Sequence, residues 1–590
     1  MSATKQQRFA ASTERNPLRC VGGVVVAVLF FAVKPMPALA DSPATPTAIS
    51  GNPAAPVQGN PGTTPGPAAA SGGALTTVKP IKVPSPAVAT APPSAAKFDF
   101  NEVQVQGDSK LSEREIDDVV YPFLGPGRNV ADVENARAAL EKAFADKGYV
   151  SVSVLLPRQD GRDGTVFMRV IERPIGRLRV VGAQYVAPSV IRENAPSLAP
   201  GIVPRLPDLQ RDILALNQIP DRIITPALKE GAAPDTIDVD LKVEDHLPLH
   251  ASLELNNRQS QNTTPLRLSG TLSYSNLWQR GDAATIGFQV APQNTGDSSV
   301  YTASYLFRVP DSSVSLLATY LKSNSNVSTF GSVSVIGKGD IAGVRALVPL
   351  GNTDNFTNSA SVGFDYKNLS QNTGIAGQFT NAPVAYYPVT LSYQAGWVSG
   401  SASTDAVASV IYGFRGIGSN ALSFDNQRFA AERNFFAVKA DVSRTQSLPY
   451  NTEGYARVTA QVSPDALLSS EQYGVGGLDT VRGYFESESL GDQGGSAQFE
   501  LRSPPLARYV GTPINSLQAH VFADIGAVEL RTGAPGQRPL SANLASIGAG
   551  LRFKVYNHLN GEVQDAIPLR DGPATHAGDN RVLFRLYGDF

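Results

Sequence analysis

The sequence predicts a transmembrane antiparallel β-barrel of about 16 strands preceded by two small α+β units. Three observations carry this. Residues 246–590 alternate apolar and polar side chains with a period of two. Residues 97–173 and 174–245 each read as β-α-α-β-β. The first residues have the layout of an export signal.

Lys5, Arg8, Arg15 and Arg19 make a basic start, and Val21–Val33 is an apolar run of 13 residues. Pro35 and Pro37 break it, and Ala38-Leu39-Ala40 places small residues three and one positions before a cut at Asp41. Residues 1–40 therefore read as a secretory signal peptide, with Ala38 and Ala40 directing cleavage. The competing assignment is an uncleaved anchor, but spanning roughly 30 Å of hydrocarbon takes about 20 apolar residues. Cys20 leaves with the signal, so the mature chain has no thiol for a disulfide, a metal or a nucleophile. The histidines, His246, His250, His520, His558 and His576, never take a metal-ligand spacing. Ser, His and Asp nowhere group as a hydrolytic triad would, so no enzyme, metal or cofactor is expected. A formal net charge of -2 gives no reason to expect nucleic acid.

Residues 41–96 are rich in Pro, Ala, Gly and Thr and nearly free of aromatics. They hold too little apolar surface to offset chain entropy, so they read as a disordered, partly extended linker. In 97–173, Phe98, Phe100, Val103 and Val105 form one extended segment ending at Gly107. Ser112 and Glu115 make a capping box ahead of Ile116, Val119 and Val120. Val133, Ala136, Leu140 and Phe144 share a helical face, and Gly148 supplies its stop. Strands follow at Tyr149–Leu156 and Thr165–Glu172. Residues 174–245 repeat the order. Leu178–Val181 is a strand ending at Gly182, Val190 and Ile191 sit in one helix, and Leu209, Ile213 and Leu216 line another. Arg222–Leu228 and Ile237–Glu244 are the closing strands. Two consecutive units of one topology read as a tandem array.

From 246 to 590 the alternation is sustained. Leu268, Gly270, Leu272 and Tyr274 alternate with Arg267, Ser269, Thr271 and Ser273; Ala497, Phe499 and Leu501 alternate with Gln498, Glu500 and Arg502. A half-buried soluble sandwich would also alternate. The length of the pattern, its lack of helices and the export signal favour a closed barrel, which leaves no unpaired backbone in lipid. The final strand puts Val582, Phe584, Leu586 and Phe590 on one face, with Phe590 as a barrel C-terminal signal.

One loop stands apart: Gly474-Val475-Gly476-Gly477-Leu478-Asp479-Thr480-Val481-Arg482-Gly483-Tyr484. A buried guanidinium needs a carboxylate. A candidate lies in Val521-Phe522-Ala523-Asp524-Ile525-Gly526. Val521, Ala523 and Ile525 should face lipid there, which turns His520, Phe522, Asp524 and Gly526 inward.

These residues resemble the barrel-assembly and polypeptide-transporter superfamily. Gly-Leu-Asp-x-Val-Arg-Gly-Tyr at 477–484 is followed by Phe-x-Asp-x-Gly at 522–526. The resemblance implies that Val481, Arg482, Gly483 and Tyr484 tip the sixth extracellular loop, fold into the lumen, and bring Arg482 to Asp524 between Phe522 and Gly526. It implies that the α+β units are POTRA (polypeptide-transport-associated) domains. Two of these before a barrel of about 16 strands resemble the hemolysin secretion/activation proteins of two-partner secretion. The expected place is the bacterial outer membrane, with 41–245 in the periplasm. The expected partners are an unfolded exoprotein client of the large β-helical adhesin or cytolysin type, the barrel-assembly machinery during insertion, and lipid. Familiar members plug the barrel with an N-terminal helix, and 41–96 departs from that pattern: it has no helical periodicity and much proline.

The rival functions are an insertase for other barrels, a diffusion porin and an outer-membrane enzyme. Two soluble units lean away from the insertase. A porin has no use for residues 97–245. No Gly-x-x-x-x-Gly-Lys phosphate cradle is present, so export is expected to draw its direction from folding of the client outside.

Overall fold

The computed structural model describes residues 97–589, apart from 108–109, 160–162, 311, 331–332, 376–377, 415, 534–537 and 557. The expected signal peptide with Cys20, Ala38 and Ala40, the expected linker 41–96 and its departure from a plug helix, and Phe590 all lie outside the described residues.

In the first unit, strand Glu102–Gln106 lies parallel to Thr165–Glu172, whose other side carries Val152–Leu155 antiparallel. Helices Glu113–Val120 and Val130–Asp146 cover the sheet. Ser112 donates its backbone N–H to the Glu115 carboxylate at 3.0 Å. The Asn129 side chain accepts the N–H groups of Ala131 and Asp132 at 2.8 and 3.1 Å, so both helices start on a cap. Val133, Ala136, Leu140 and Phe144 are buried against Phe100, Val154, Val166, Met168 and Val170.

Two boundaries differ from the sequence reading. The extended segment 98–107 is two strands in two sheets, because Asn101 and Glu102 both donate to the Gly164 carbonyl and Phe98–Phe100 turns away to pair with Gly125–Arg128. The strand expected from Tyr149 begins at Val152. Gly148, at φ +93°, extends the helix cap, and Tyr149 donates back to Phe144 at 2.9 Å.

The second unit repeats the topology: Ile175–Val181 lies parallel to Ile237–Asp245, with Arg222–Glu230 antiparallel on the other side. Details repeat too. Gly107 and Gly182 end the first strands at φ +109° and +94°, and a Cβ on either would strike the backbone oxygen of Val170 or Val243 on the central strand. Glu172 and Asp245 end the last strands and accept backbone N–H groups from the segment after the first, Lys110 at 2.9 Å and Tyr185 at 2.7 Å.

The barrel is closed by antiparallel pairs throughout. Segments Gln378–Tyr386 and Pro388–Ser399 both pair with Phe356–Ile375 and form one strand. The ladder breaks between them because Pro388 has no N–H. Counted so, the described residues form 16 strands. The inside-out pattern is that of a protein solvated by lipid: Val521 and Ile525 are 54 % and 56 % exposed, while the alternate positions His520, Phe522 and Asp524 are buried. The first strand, Leu249–Asn256, leaves the second unit, and connections then alternate between ends. Near those units Gln279 accepts from Ala187 N at 3.0 Å and Asp221 accepts from His250 at 2.9 Å. The sixth loop at the far end runs from 463 to 492.

Candidate functional site in the barrel lumen

The sixth loop goes inward. Tyr473–Val475 pairs with Ser489–Gly491 as a short hairpin, and Gly476 and Gly477, at φ +110° and +98°, turn the chain into the tip. Val475, Val481 and Tyr484 pack with Val528 and Leu544 of the wall in a small apolar cluster.

Arg482 is the centre of the tip. Its Nε and Nη2 donate to the two carboxylate oxygens of Asp524, both at 2.7 Å, and its backbone N–H adds a third bond at 3.0 Å. Nη1 donates to Glu500 at 2.6 Å. The guanidinium carbon lies 3.6 Å from the centre of the Phe522 ring. Arg482 is 2 % exposed and Asp524 1 %, so this pair is desolvated rather than washed by a wet lumen. Fork-to-fork bonding and ring stacking both require the planar guanidinium.

The wall motif follows from this geometry. Phe522, Asp524 and Gly526 are consecutive inward positions of Ile514–Glu529. Phe522 is the platform, Asp524 the counter-charge, and Gly526 the space: a Cβ there would run into Val475 and Val481. Gly483, at φ +94°, places Tyr484 away from Arg482, and the buried Tyr484 hydroxyl donates to the Arg570 carbonyl at 2.7 Å with the Ala545 carbonyl 3.0 Å away.

Of the expected residues, Val481 thus meets Gly526 and Arg482 meets Phe522 and Asp524, while Gly483 lies against Ala566 and Pro568 and Tyr484 reaches Ala545 and Arg570. Several partners were not singled out. Glu500 also accepts from Arg552 at 2.9 and 3.0 Å and from Arg502 at 3.0 Å, and Arg552 reaches Glu562 at 2.9 Å. Alternation along 493–502 marks Glu500 as inward, but only cross-strand register puts it opposite Phe522, where Arg482 reaches it. His520 shares the Asp524 wall, as expected, and its Nε2 lies 3.4 Å from Gln564 and 3.7 Å from Glu562.

Loop 414–435 also enters the lumen. Phe424 of its helix Ala421–Gln427 packs with Val384, Tyr386, Ile411 and Phe435 and with Leu467 and Leu468 of the sixth loop. Arg428 then grips Asp492 with two bonds of 2.6 Å, and Asp492 also accepts backbone N–H groups from Leu467 at 2.9 Å and Arg531 at 2.7 Å. Nothing in the sequence announced this.

Residues 235–553 match the haemolysin secretion/activation protein family ShlB/FhaC/HecB. The chain belongs to that family. Residues 98–173 match the ShlB-type POTRA domain. The heme/hemopexin transporter protein HuxB of Haemophilus influenzae is 20% identical over 469 residues, covering 77% of this chain and 81% of that protein. The outer membrane transporter CdiB of Escherichia coli is 22% identical over 435 residues, covering 70% and 71%. The solved CdiB from Escherichia coli superposes with a TM-score of 0.59 at 17% identity, covering 86% of this chain and 93% of that one. BamA from Haemophilus ducreyi lacking POTRA domains 1-3 gives a TM-score of 0.50 at 13% identity over 84% and 100%, a likeness of fold. In this family the barrel sits in the outer membrane, its POTRA region lies in the periplasm, and a partner exoprotein is exported through the barrel. The sixth loop is accordingly extracellular in origin and lumenal in position.

Proposed function

We propose that the chain exports one dedicated exoprotein and that the Arg482–Asp524 pair holds the sixth loop in the position competent for transport. The bidentate, desolvated pairing of Arg482 with Asp524 carries this reading. So buried a charge pair fixes a loop in one place and resists displacement by a passing chain. The unfolded client enters through the periplasmic units, where Val152–Leu155 and Arg222–Glu230 are sheet edges open to strand addition. Leu155 and Ile223 on those edges present exposed apolar side chains. The client is of the large β-helical adhesin or cytolysin type, and its folding outside supplies direction. The barrel itself is inserted by the barrel-assembly machinery, with Phe590 as its signal, and presents its apolar outer face to lipid.

Deletion in the source bacterium tests the reading. One large protein should vanish from the culture medium while the outer-membrane proteome stays unchanged. Depletion of many barrels at once would replace the transporter by the insertase.

A further inference from the structure

The sixth-loop tip touches more than the Asp524 wall. Asp479 and Glu486 flank Arg482 in sequence, and both carboxylates turn to Arg258, two residues past the end of the first barrel strand, Leu249–Asn256. Arg258 Nε donates to Glu486 at 2.9 Å, its Nη2 also bonds Asp479, and Glu486 donates its backbone N–H to the Gln259 carbonyl at 3.1 Å. On the preceding residue, the Phe485 ring lies 4.0 Å from the guanidinium carbon of Arg581, the first residue of the last strand, Arg581–Asp589.

The first and last strands close the barrel, and among the described residues this seam is its shortest pairing. Among the described residues it has five residue pairs, Ser252–Asn256 with Arg585–Asp589, where the last strand's other neighbour makes eight. Asn257 lengthens it with its side chain, donating to the Val582 carbonyl at 2.8 Å and accepting from Phe584 N at 2.9 Å. The loop tip sits over this stretch and holds Arg258, just past the first strand, and Arg581 of the last.

We infer that Arg258, with Asp479 and Glu486, is a second latch, a positioning site that straps the sixth-loop tip across the closing seam. This rests on the reading that transport depends on the position of that loop, and it adds a second determinant of that position. Arg482–Asp524 fixes one side of the tip to the wall built from Gln493–Arg502 and Ile514–Glu529. Arg258 fixes the other side to the first strand. The loop is thereby held at two places around the lumen, and the seam's weak far end is covered by the loop.

Hydrogen exchange of the full-length chain in nanodiscs, followed by peptide mass spectrometry, tests this. Arg258→Ala should raise exchange in 477–488 and 581–584 by about tenfold, the factor expected when charge-assisted hydrogen bonds are lost. Protection of 514–529 should not change. Glu486→Gln should reproduce the pattern, since it removes one of the two charges that Arg258 grips. Unchanged exchange in 477–488 overturns the latch, and so does a rise spread evenly over all strands, which would make Arg258 a brace for the whole barrel. Export in the same variants separates the two ideas. A loosened tip with undiminished export leaves the latch standing and removes the loop-position reading of transport.

Discussion

Arg482 and Asp524 are unequal partners. Without the Arg482 side chain, Asp524 loses both guanidinium bonds and keeps only the backbone N–H at 3.0 Å, while Glu500 keeps Arg502 and Arg552. Without Asp524, Arg482 still has Glu500 at 2.6 Å and Gln564 at 3.4 Å. Breaking a buried pair costs about 3–5 kcal/mol when a charge is left bare. Arg482→Ala should therefore lower the temperature at which the barrel loses its folded gel mobility more than Asp524→Ala does. The double variant should be no worse than Arg482→Ala alone, because the exposed liability is gone. Equal single effects that add in the double variant would mean the two side chains do not depend on each other. Asp524 was legible from the sequence because its strand's parity turns it inward. Glu500 shares that parity, but its place beside Arg482 depends on register between strands, which parity does not give.

At the scale of the element, helix Glu113–Val120 shows how local signals become stability. The Ser112–Glu115 capping box was readable as a spacing. The Lys147 ammonium was not, because it comes from the end of the following helix. Lys147 first, and then the Ser112 N–H, hold the Glu115 carboxyl down at about 2. A lowered carboxyl favours the folded state above the ordinary glutamate range, and that contribution fades as pH falls towards 2. Glu115→Gln should accordingly reduce amide protection of 113–120 near neutral pH and leave it unchanged near pH 2, once intrinsic exchange rates are divided out. Protection lost equally at both values would show that the side chain acts without its charge. The misplaced boundaries at Asn101 and Tyr149 belong to this scale as well. Each is set by a backbone hydrogen bond to a residue outside the local pattern, Gly164 and Phe144.

Over the whole molecule, the period of two yielded the barrel and its strand number, since lipid outside and polar lumen inside impose it on every strand. The loops carry no such pattern. That 414–435 and 463–492 both fold inward depends on Phe424 meeting Tyr386 and on Arg428 meeting Asp492, contacts far apart in sequence. On the proposed reading, export proceeds with the sixth loop seated against the wall. A Cβ at Gly483 would lie 3.4 Å from that of Ala566, near the about 3.8 Å separation common in disulfides. Cys20 is the chain's sole cysteine, so a Gly483→Cys, Ala566→Cys pair can lock the loop selectively. Gly483→Cys alone controls for its positive φ. The decisive measurement is the amount of the dependent exoprotein in the medium, with the lock oxidised and with it reduced. Export should continue in the oxidised state, and should recover when the lock is added to Arg482→Ala. Export that stops on oxidation and resumes on reduction would contradict it, because the loop would then have to leave the wall for the client to pass.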